Sequence, residues 1–148
     1  MIAIRRAEPA DAAAAAEVFL GSYAATYEGP RAHTDDEVRA WVRNHLVVQM
    51  ETWVAIDGSM VVGILTLSPG WVDQLYVAPD RLGQGIGRAL LDVPKGRSDG
   101  PLELWTFQVN ARARRFYERN EFVLVEMTDG SGNLERQPDV RYRWEPTA

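Results

Sequence analysis

The stretch Leu75-Tyr76-Val77-Ala78-Pro79-Asp80-Arg81-Leu82-Gly83-Gln84-Gly85-Ile86-Gly87-Arg88-Ala89-Leu90-Leu91 passes from a strand-like run into three alternating glycines and then into a helix-forming segment. With Trp71 and Val72 ahead of it, it reads as strand, turn and helix start. A helix N-terminus carries amide N–H groups that have no intrahelical acceptor, and its dipole favours negative charge. Glycines there let the backbone approach an anion closely, so this stretch points to a phosphate or pyrophosphate ligand. Two common phosphate templates do not fit: the dinucleotide fingerprint requires Gly-x-Gly-x-x-Gly, and the nucleotide P-loop ends in Gly-Lys-Ser/Thr.

Working outward, residues 2–5 alternate like a short strand, and Pro9-Ala10-Asp11 reads as a turn with Asp11 as the N-cap of a helix over residues 12–27. The run of alanines at 12–16 is bracketed by Asp11 and Glu17, which suits an amphipathic helix better than a signal peptide. Gly29-Pro30 breaks that helix. Thr34 with Glu37 forms a capping box opening a second helix through Val38, Trp41, Val42 and His45. Residues 52–56 and 61–67 are β-branched runs joined by Asp57-Gly58-Ser59, a hairpin signal. Trp71–Val77 follows as a strand, the glycine turn leads into a helix that Pro94 should end or kink, and residues 102–107 form the next strand. That order implies a parallel pair with a right-handed crossover. Asn110 opens a last helix through Tyr117 to Asn120, and residues 122–126 and 140–144 are the closing strands. The polar stretch between them, residues 128–139, is long enough for a functional or a poorly ordered loop. Trp53, Trp71 and Trp105 read mostly as core, with Trp71, which follows Gly70 at the start of its strand, also a candidate wall of a ligand pocket.

The 148 residues make about one domain, 1–148, without a repeat or linker. A composition of 46% hydrophobic and 25% charged residues suits a globular protein, and no stretch is apolar enough to span a bilayer, so neither a membrane role nor export is expected and the cytoplasm is the default location. The net charge of −5 argues against a nucleic-acid-binding surface and favours a cationic small molecule or peptide as partner. With no Cys, there is neither a disulfide framework nor a thiolate nucleophile, and no metal-ligand spacing stands out.

The segment Leu82-Gly83-Gln84-Gly85-Ile86-Gly87 resembles the acyl-CoA pyrophosphate loop of the GNAT superfamily of N-acyltransferases, whose form is Gln/Arg-x-x-Gly-x-Gly/Ala. Leu75-Tyr76-Val77-Ala78-Pro79 is similar to that family's fourth strand, and Asn110-Ala111-Arg112-Ala113-Arg114-Arg115-Phe116-Tyr117-Glu118 to its Asn-x-x-Ala-x-x-x-Tyr-Glu helix. The resemblance covers residues 53–144 and has two departures. Leu82 replaces the usual Gln or Arg, and Glu121 stands where a Gly normally ends the Tyr-bearing helix, which would shift the left-handed cap to Asn120.

The resemblance implies an α/β fold: one GNAT-like domain with a mixed, mostly antiparallel sheet of about seven strands, about four flanking helices and a splayed parallel strand pair. It implies acetyl-CoA as acyl-donor substrate, held by the backbone of Leu75, Tyr76 and Val77, by the loop Leu82, Gly83, Gln84, Gly85, Ile86, Gly87 and Arg88, and by Asn110, Phe116 and Tyr117. Because Leu82 lacks a polar side chain, backbone amides should carry the phosphate contacts. The implied reaction is direct transfer of acetyl to a primary amine of a small molecule or peptide, with Tyr117 as general acid to the CoA thiolate and a strand N–H near Val77 as oxyanion donor. Asp73, Glu103 and Glu135 are candidate bases, Asp73 being the one carried forward. A homodimer is compatible with the family pattern. Two other readings stand beside this one: a non-catalytic acyl-CoA-binding module, and a nucleotide- or phosphate-binding protein without CoA affinity.

Overall fold

The computed structural model describes residues 1–27 and 31–147. The Gly29-Pro30 break lies outside the described residues. The chain forms β1 (Ile2–Arg6), α1 (Ala12–Thr26), α2 (Asp35–Trp41), a π-helical segment (Val42–Leu46) and α3 (Val47–Gln49), so that α2 to α3 is one continuous helical run. There follow β2 (Glu51–Asp57), β3 (Met60–Ser68), β4 (Trp71–Val77), α4 (Ile86–Arg97), β5 (Leu102–Phe107), α5 (Ala111–Arg119), β6 (Val123–Met127) and β7 (Asp139–Trp144). All seven strands make one sheet in the order β1-β2-β3-β4-β5-β7-β6. Only β4 and β5 pair in parallel.

Alternation along the central strands puts a core on each face. Val54 and Ile64 face α1 and the α2 run, with Ala15, Val42 and Leu46. Their neighbours Ala55 and Leu65 face α4 and α5, with Ile86, Leu90, Leu91 and Tyr142. β3 is consequently apolar nearly throughout, as a strand covered on both faces must be. Gly63 on β3 lies beneath α4: a Cβ there would meet Ile86 and Leu90 side-chain carbons at 3.0 Å. Full burial of Ile86, Leu90 and Leu91 contributes about 1.5–3 kcal/mol each and fixes how α4 sits over the sheet. On the other face Thr52 donates to the Leu46 carbonyl (2.6 Å) and bonds Thr66 (3.0 Å), tying the end of the helical run to β2 and β3.

The capping box is formed: Glu37 N–H donates to Thr34 Oγ1 (3.2 Å) and Thr34 N–H to Glu37 Oε1 (2.9 Å). Three local expectations are corrected. Asp11 precedes α1 but does not cap it; its carboxylate accepts two bonds from the Arg5 guanidinium (2.8 and 3.0 Å) and one from Glu8 N–H (2.7 Å), closing a 3₁₀ turn instead. The helix α4 continues through Pro94 to Arg97, so the proline does not end it. The missing N–H lies near the C-terminal end, and the ring is buried among residues that hold the helix on the sheet. Finally, the left-handed residue after α5 is Glu121 itself (φ 72°), while Asn120 keeps φ −98°. Asn120 is pinned, its Nδ2 donating to Phe116 O (2.8 Å) and its carbonyl accepting from Lys95 Nζ (2.6 Å).

Candidate active site

The site begins with a defect in pairing. β4 is hydrogen-bonded to β3 along its length, with Thr66 opposite Gln74 and Leu67 opposite Val72, so Asp73 is an extra, bulged residue. A bulge bends its strand and increases twist. β5 therefore touches β4 in register only at Trp71 and Glu103, where Glu103 N–H donates to Gly70 O (3.0 Å). Beyond the bulge the two strands diverge, and residues 74–77 present a backbone edge with no strand partner on the β5 side. The gap opens into a cleft of about 990 Å³.

The glycine turn closes one end of this cleft. Gly83 (φ 79°) and Gly85 (φ 81°) take left-handed conformations, and Gly85 is the N-cap of α4. The first α4 bond of the regular pattern is Ala89 N–H to Gly85 O (3.0 Å). The amides of Ile86, Gly87 and Arg88 thus have no acceptor among the described residues, and all three residues line the cleft. Gly87 serves a different purpose: a Cβ there would lie 2.9 Å from Phe116 Cζ, so the bare Cα is what admits the Phe116 ring against α4. Leu82 is 40% exposed and offers no donor. Its basic neighbour Arg81 is bonded to Asp57 at the hairpin turn, which takes it away from phosphate duty.

Tyr117 sits on α5, which Asn110 caps by accepting from Ala113 N–H (3.1 Å). Its ring is buried against Phe116, Phe122 and Tyr142, at centroid distances of 5.3, 5.7 and 6.2 Å. Tyr142 accepts from Arg114 (3.2 Å) and donates to Glu118 (2.6 Å), holding α5 on β7. Burial pushes the Tyr117 hydroxyl well above the ordinary tyrosine range, so it is protonated throughout neutral pH. Burial, then the neighbouring Tyr117 and Glu135, raise Tyr76 in the same way.

Of the residues selected from sequence, Asp73, Leu75, Tyr76, Val77, Leu82, Gly83, Gly85, Ile86, Gly87, Arg88, Asn110, Phe116 and Tyr117 all line the cleft, whereas Gln84 is exposed outside its lining. Glu103, a candidate base, is committed to Arg141, which also bonds Glu126 (3.0 Å). Trp71 lines a separate groove with Pro94 and Arg97, so it is not a wall of this cleft. Trp105, expected in the core, is instead 42% exposed on the cleft rim. Sequence reasoning missed Phe19, Tyr23, Tyr27 and Phe107, which line the end of the cleft away from the glycine turn. The i, i+4 spacing of Phe19 and Tyr23 was a usable signal, since it puts two aromatic rings on one side of α1, with Tyr27 following just after the helix.

A splayed parallel pair, a glycine-turned helix start with free amides and a buried tyrosine facing the gap define an acyltransferase of the N-acyltransferase class. A family model described as an acetyltransferase (GNAT) domain matches residues 49–124. The chain belongs to this family and is an acetyl-CoA-dependent acyltransferase. It is 26% identical over 131 residues to the uncharacterized N-acetyltransferase YafP of Escherichia coli, across 84% of this chain and 83% of that one. It is also 26% identical over 124 residues to the peptidyl-lysine N-acetyltransferase YiaC of the same organism, across 83% and 84% of the two chains. Among solved structures, apo-form YjaB from Escherichia coli superposes with a TM-score of 0.82 at 23% identity over 99% of both chains. YncA, a putative acetyltransferase from Salmonella typhimurium solved with acetyl-CoA, gives 0.73 at 20% identity over 100% of this chain and 95% of that one. No helix among the described residues is long and apolar enough to cross a membrane.

Proposed function

We propose that this protein acts as a single catalytic domain that moves the acetyl group of acetyl-CoA directly onto a primary amine of a small molecule or peptide, with no acyl-enzyme. The observation that carries this reading is the coincidence, in one cleft, of an unpaired β4 edge, free α4 amides and the buried Tyr117 hydroxyl. In the proposed complex the Ile86, Gly87 and Arg88 amides bind pyrophosphate, with Leu82, Gly83 and Gly85 shaping the turn. The edge of Leu75, Tyr76 and Val77 pairs with the pantetheine arm like an added strand. Asn110 holds the start of α5 and Phe116 packs at the helix start.

The amine lone pair forms the new C–N bond at the thioester carbonyl carbon, and the tetrahedral oxyanion accepts a bond from a β4 N–H near Val77. The nitrogen releases its proton to Asp73, exposed on the bulge, directly or through water. Collapse breaks the C–S bond and Tyr117 protonates the leaving thiolate, giving the amide and free CoA. Burial keeps the Tyr117 hydroxyl protonated until the leaving sulfur develops charge. A cytoplasmic location belongs to this proposal, supported by the absence of Cys and hence of the disulfides common in exported domains.

The test is Tyr117→Phe. Turnover, followed as CoA release with an amine panel, should fall about 100-fold or more, while calorimetric affinity for acetyl-CoA stays within about threefold of wild type. Wild-type protein that binds acetyl-CoA and acetylates no amine would establish the non-catalytic binding module instead, and tight ATP or NAD binding without CoA affinity would remove the reading altogether.

A further inference from the structure

The cations of the cleft are gathered on one side, where Asp92 of α4 and Glu121 also line it. The cations that line it among the described residues, Arg81, Arg88, Lys95, Arg112 and Arg119, come from the glycine-turn segment, α4 and α5, and Arg81 is already paired. At the other end the lining is aromatic and acidic: Phe19 and Tyr23 from α1, Tyr27 just after it, Tyr76 from β4, Phe107 from β5, and Glu135 from the β6–β7 loop. These rings form one network, with centroids 4.6 Å apart for Phe19 and Tyr76, 5.2 Å for Tyr23 and Tyr27, and 5.1 Å for Tyr27 and Phe107.

Two groups in that end are unspent. The Tyr23 hydroxyl is buried and has no hydrogen-bond partner among the described residues. Such a group costs about 1–3 kcal/mol if left unsatisfied, which makes it a site awaiting an acceptor or donor. Glu135 makes no ion pair among the described residues, although it lies close enough that, after burial, its charge is the leading cause of the raised Tyr23 pKa; the two do not reach full hydrogen-bond geometry. Glu135 is nevertheless held in place. Asn133 next to it donates to Gln137 O (2.7 Å) and Asp139 (3.2 Å), and Arg136, in a left-handed conformation (φ 55°), donates from its side chain to Ser131 O (2.9 Å). The neighbouring carboxylates are engaged: Asp129 of the same loop accepts from Ser131 N–H (3.0 Å), and Asp139, the first residue of β7, bonds Thr128 and Asn133. Arg31 lies over the Tyr23 ring at 5.5 Å and pairs with Asp35 (2.7 Å), outside the cleft lining, so it does not engage the Tyr23 hydroxyl.

We infer that Glu135 and Tyr23 form the acceptor-recognition site, taking the ammonium of a straight-chain alkyl amine whose methylene stem lies along Tyr27, Tyr76 and Phe107. This deepens, and rests on, the acetyltransferase reading above. An ammonium supplies three donors and a charge, which satisfies both the carboxylate and the orphan hydroxyl oxygen; an aromatic amine, neutral at physiological pH, supplies no charge for Glu135. The flexible stem of a lysine side chain or a free diamine matches apolar walls ending in a charge. Once bound, the ammonium must lose one proton before the nitrogen attacks the thioester, and Asp73 or water receives it.

The experiment measures steady-state CoA release with cadaverine, with a capped Gly-Lys-Gly peptide and with aniline, in wild type, Glu135→Gln and Tyr23→Phe. Expected is a KM for both cationic acceptors raised about tenfold or more by Glu135→Gln and about threefold by Tyr23→Phe, with kcat and acetyl-CoA affinity little changed. The wild-type KM should also rise with ionic strength, and that of Glu135→Gln should not. The lower KM of the two cationic acceptors assigns the source of the alkylammonium, free amine or peptide. Unchanged KM in Glu135→Gln, a loss confined to kcat, or a wild-type preference for aniline overturns the inference while leaving the acetyltransferase reading intact. Failure of wild type to bind acetyl-CoA in calorimetry overturns both.

Discussion

Glu121→Gly should stabilise the protein, because glycine is the residue best suited to the left-handed position that follows a helix. Glu121 has φ 72° because the α5 terminus needs a left-handed residue there: Glu121 N–H bonds Glu118 O (3.2 Å) and Phe122 N–H bonds Tyr117 O (3.0 Å). An L side chain in that conformation costs about 1–2 kcal/mol. Glycine relieves this but brings a more disordered unfolded chain, worth about 0.5–1 kcal/mol against it. The net gain is about 0.5–1 kcal/mol, or a Tm rise of about 1–4 °C for a chain of this length. Removing the carboxylate has its own effect, since Glu121 acts to raise the pKa of Lys95 while burial, the larger influence, lowers it. Glu121→Ala is therefore the control: it loses the same charge and keeps the strain. Scanning calorimetry of the three proteins should rank Gly above both Ala and wild type. A glycine variant no more stable than the alanine one would refute the strain argument.

Gly87→Ala should destabilise by about 1–3 kcal/mol, because its Cβ would sit 2.9 Å from Phe116 Cζ and push on the ring beside Tyr117. Gly83→Ala meets nothing within 4 Å, but at φ 79° it should cost about 1–2 kcal/mol through backbone strain alone and also lower acetyl-CoA affinity by disturbing the turn; thermal melts and acetyl-CoA titrations of both variants check this. Asp11→Asn should cost about 2 kcal/mol at neutral pH in denaturant unfolding. The Arg5 guanidinium, partly opposed by burial and helped by the Glu8 amide, holds the Asp11 carboxyl below its ordinary value of 3.8, so its contribution is present above that pH and is lost as the pH falls through the depressed folded value. The gap between variant and wild type should accordingly shrink below about pH 4, and a gap independent of pH would contradict the ion-pair account.

Local patterns were legible wherever the deciding forces are local. The Asp57-Gly58-Ser59 hairpin, the Thr34 capping box, the Trp71–Val77 strand and the Asn110 cap were each readable, because turn chemistry, alternation and capping act over a few residues. Expectations failed where a distant partner outbid the local preference. Arg5 took the Asp11 carboxylate from the α1 N-terminus, the buried face of α4 carried it past Pro94, and Lys95 with the Phe116 carbonyl held Asn120 out of the left-handed role.

The same division runs through the site. The glycine turn, the Asn110–Tyr117 helix and the class of chemistry they imply were determined by the sequence, since an anion-binding helix start is a matter of neighbouring amides and of glycine's freedom at φ 79° and 81°. Only the tertiary structure decided that Gly87 makes room for Phe116, that Arg81 belongs to Asp57, and that the bulge at Asp73 opens β4 from β5. It alone brought Tyr23 from α1, Tyr27 from just after it, Tyr76 from β4, Phe107 from β5 and Glu135 from the β6–β7 loop to one end of the cleft. Those contacts join elements far apart in the chain, and their geometry is set by how two helical layers pack on a twisted sheet, which no local pattern encodes.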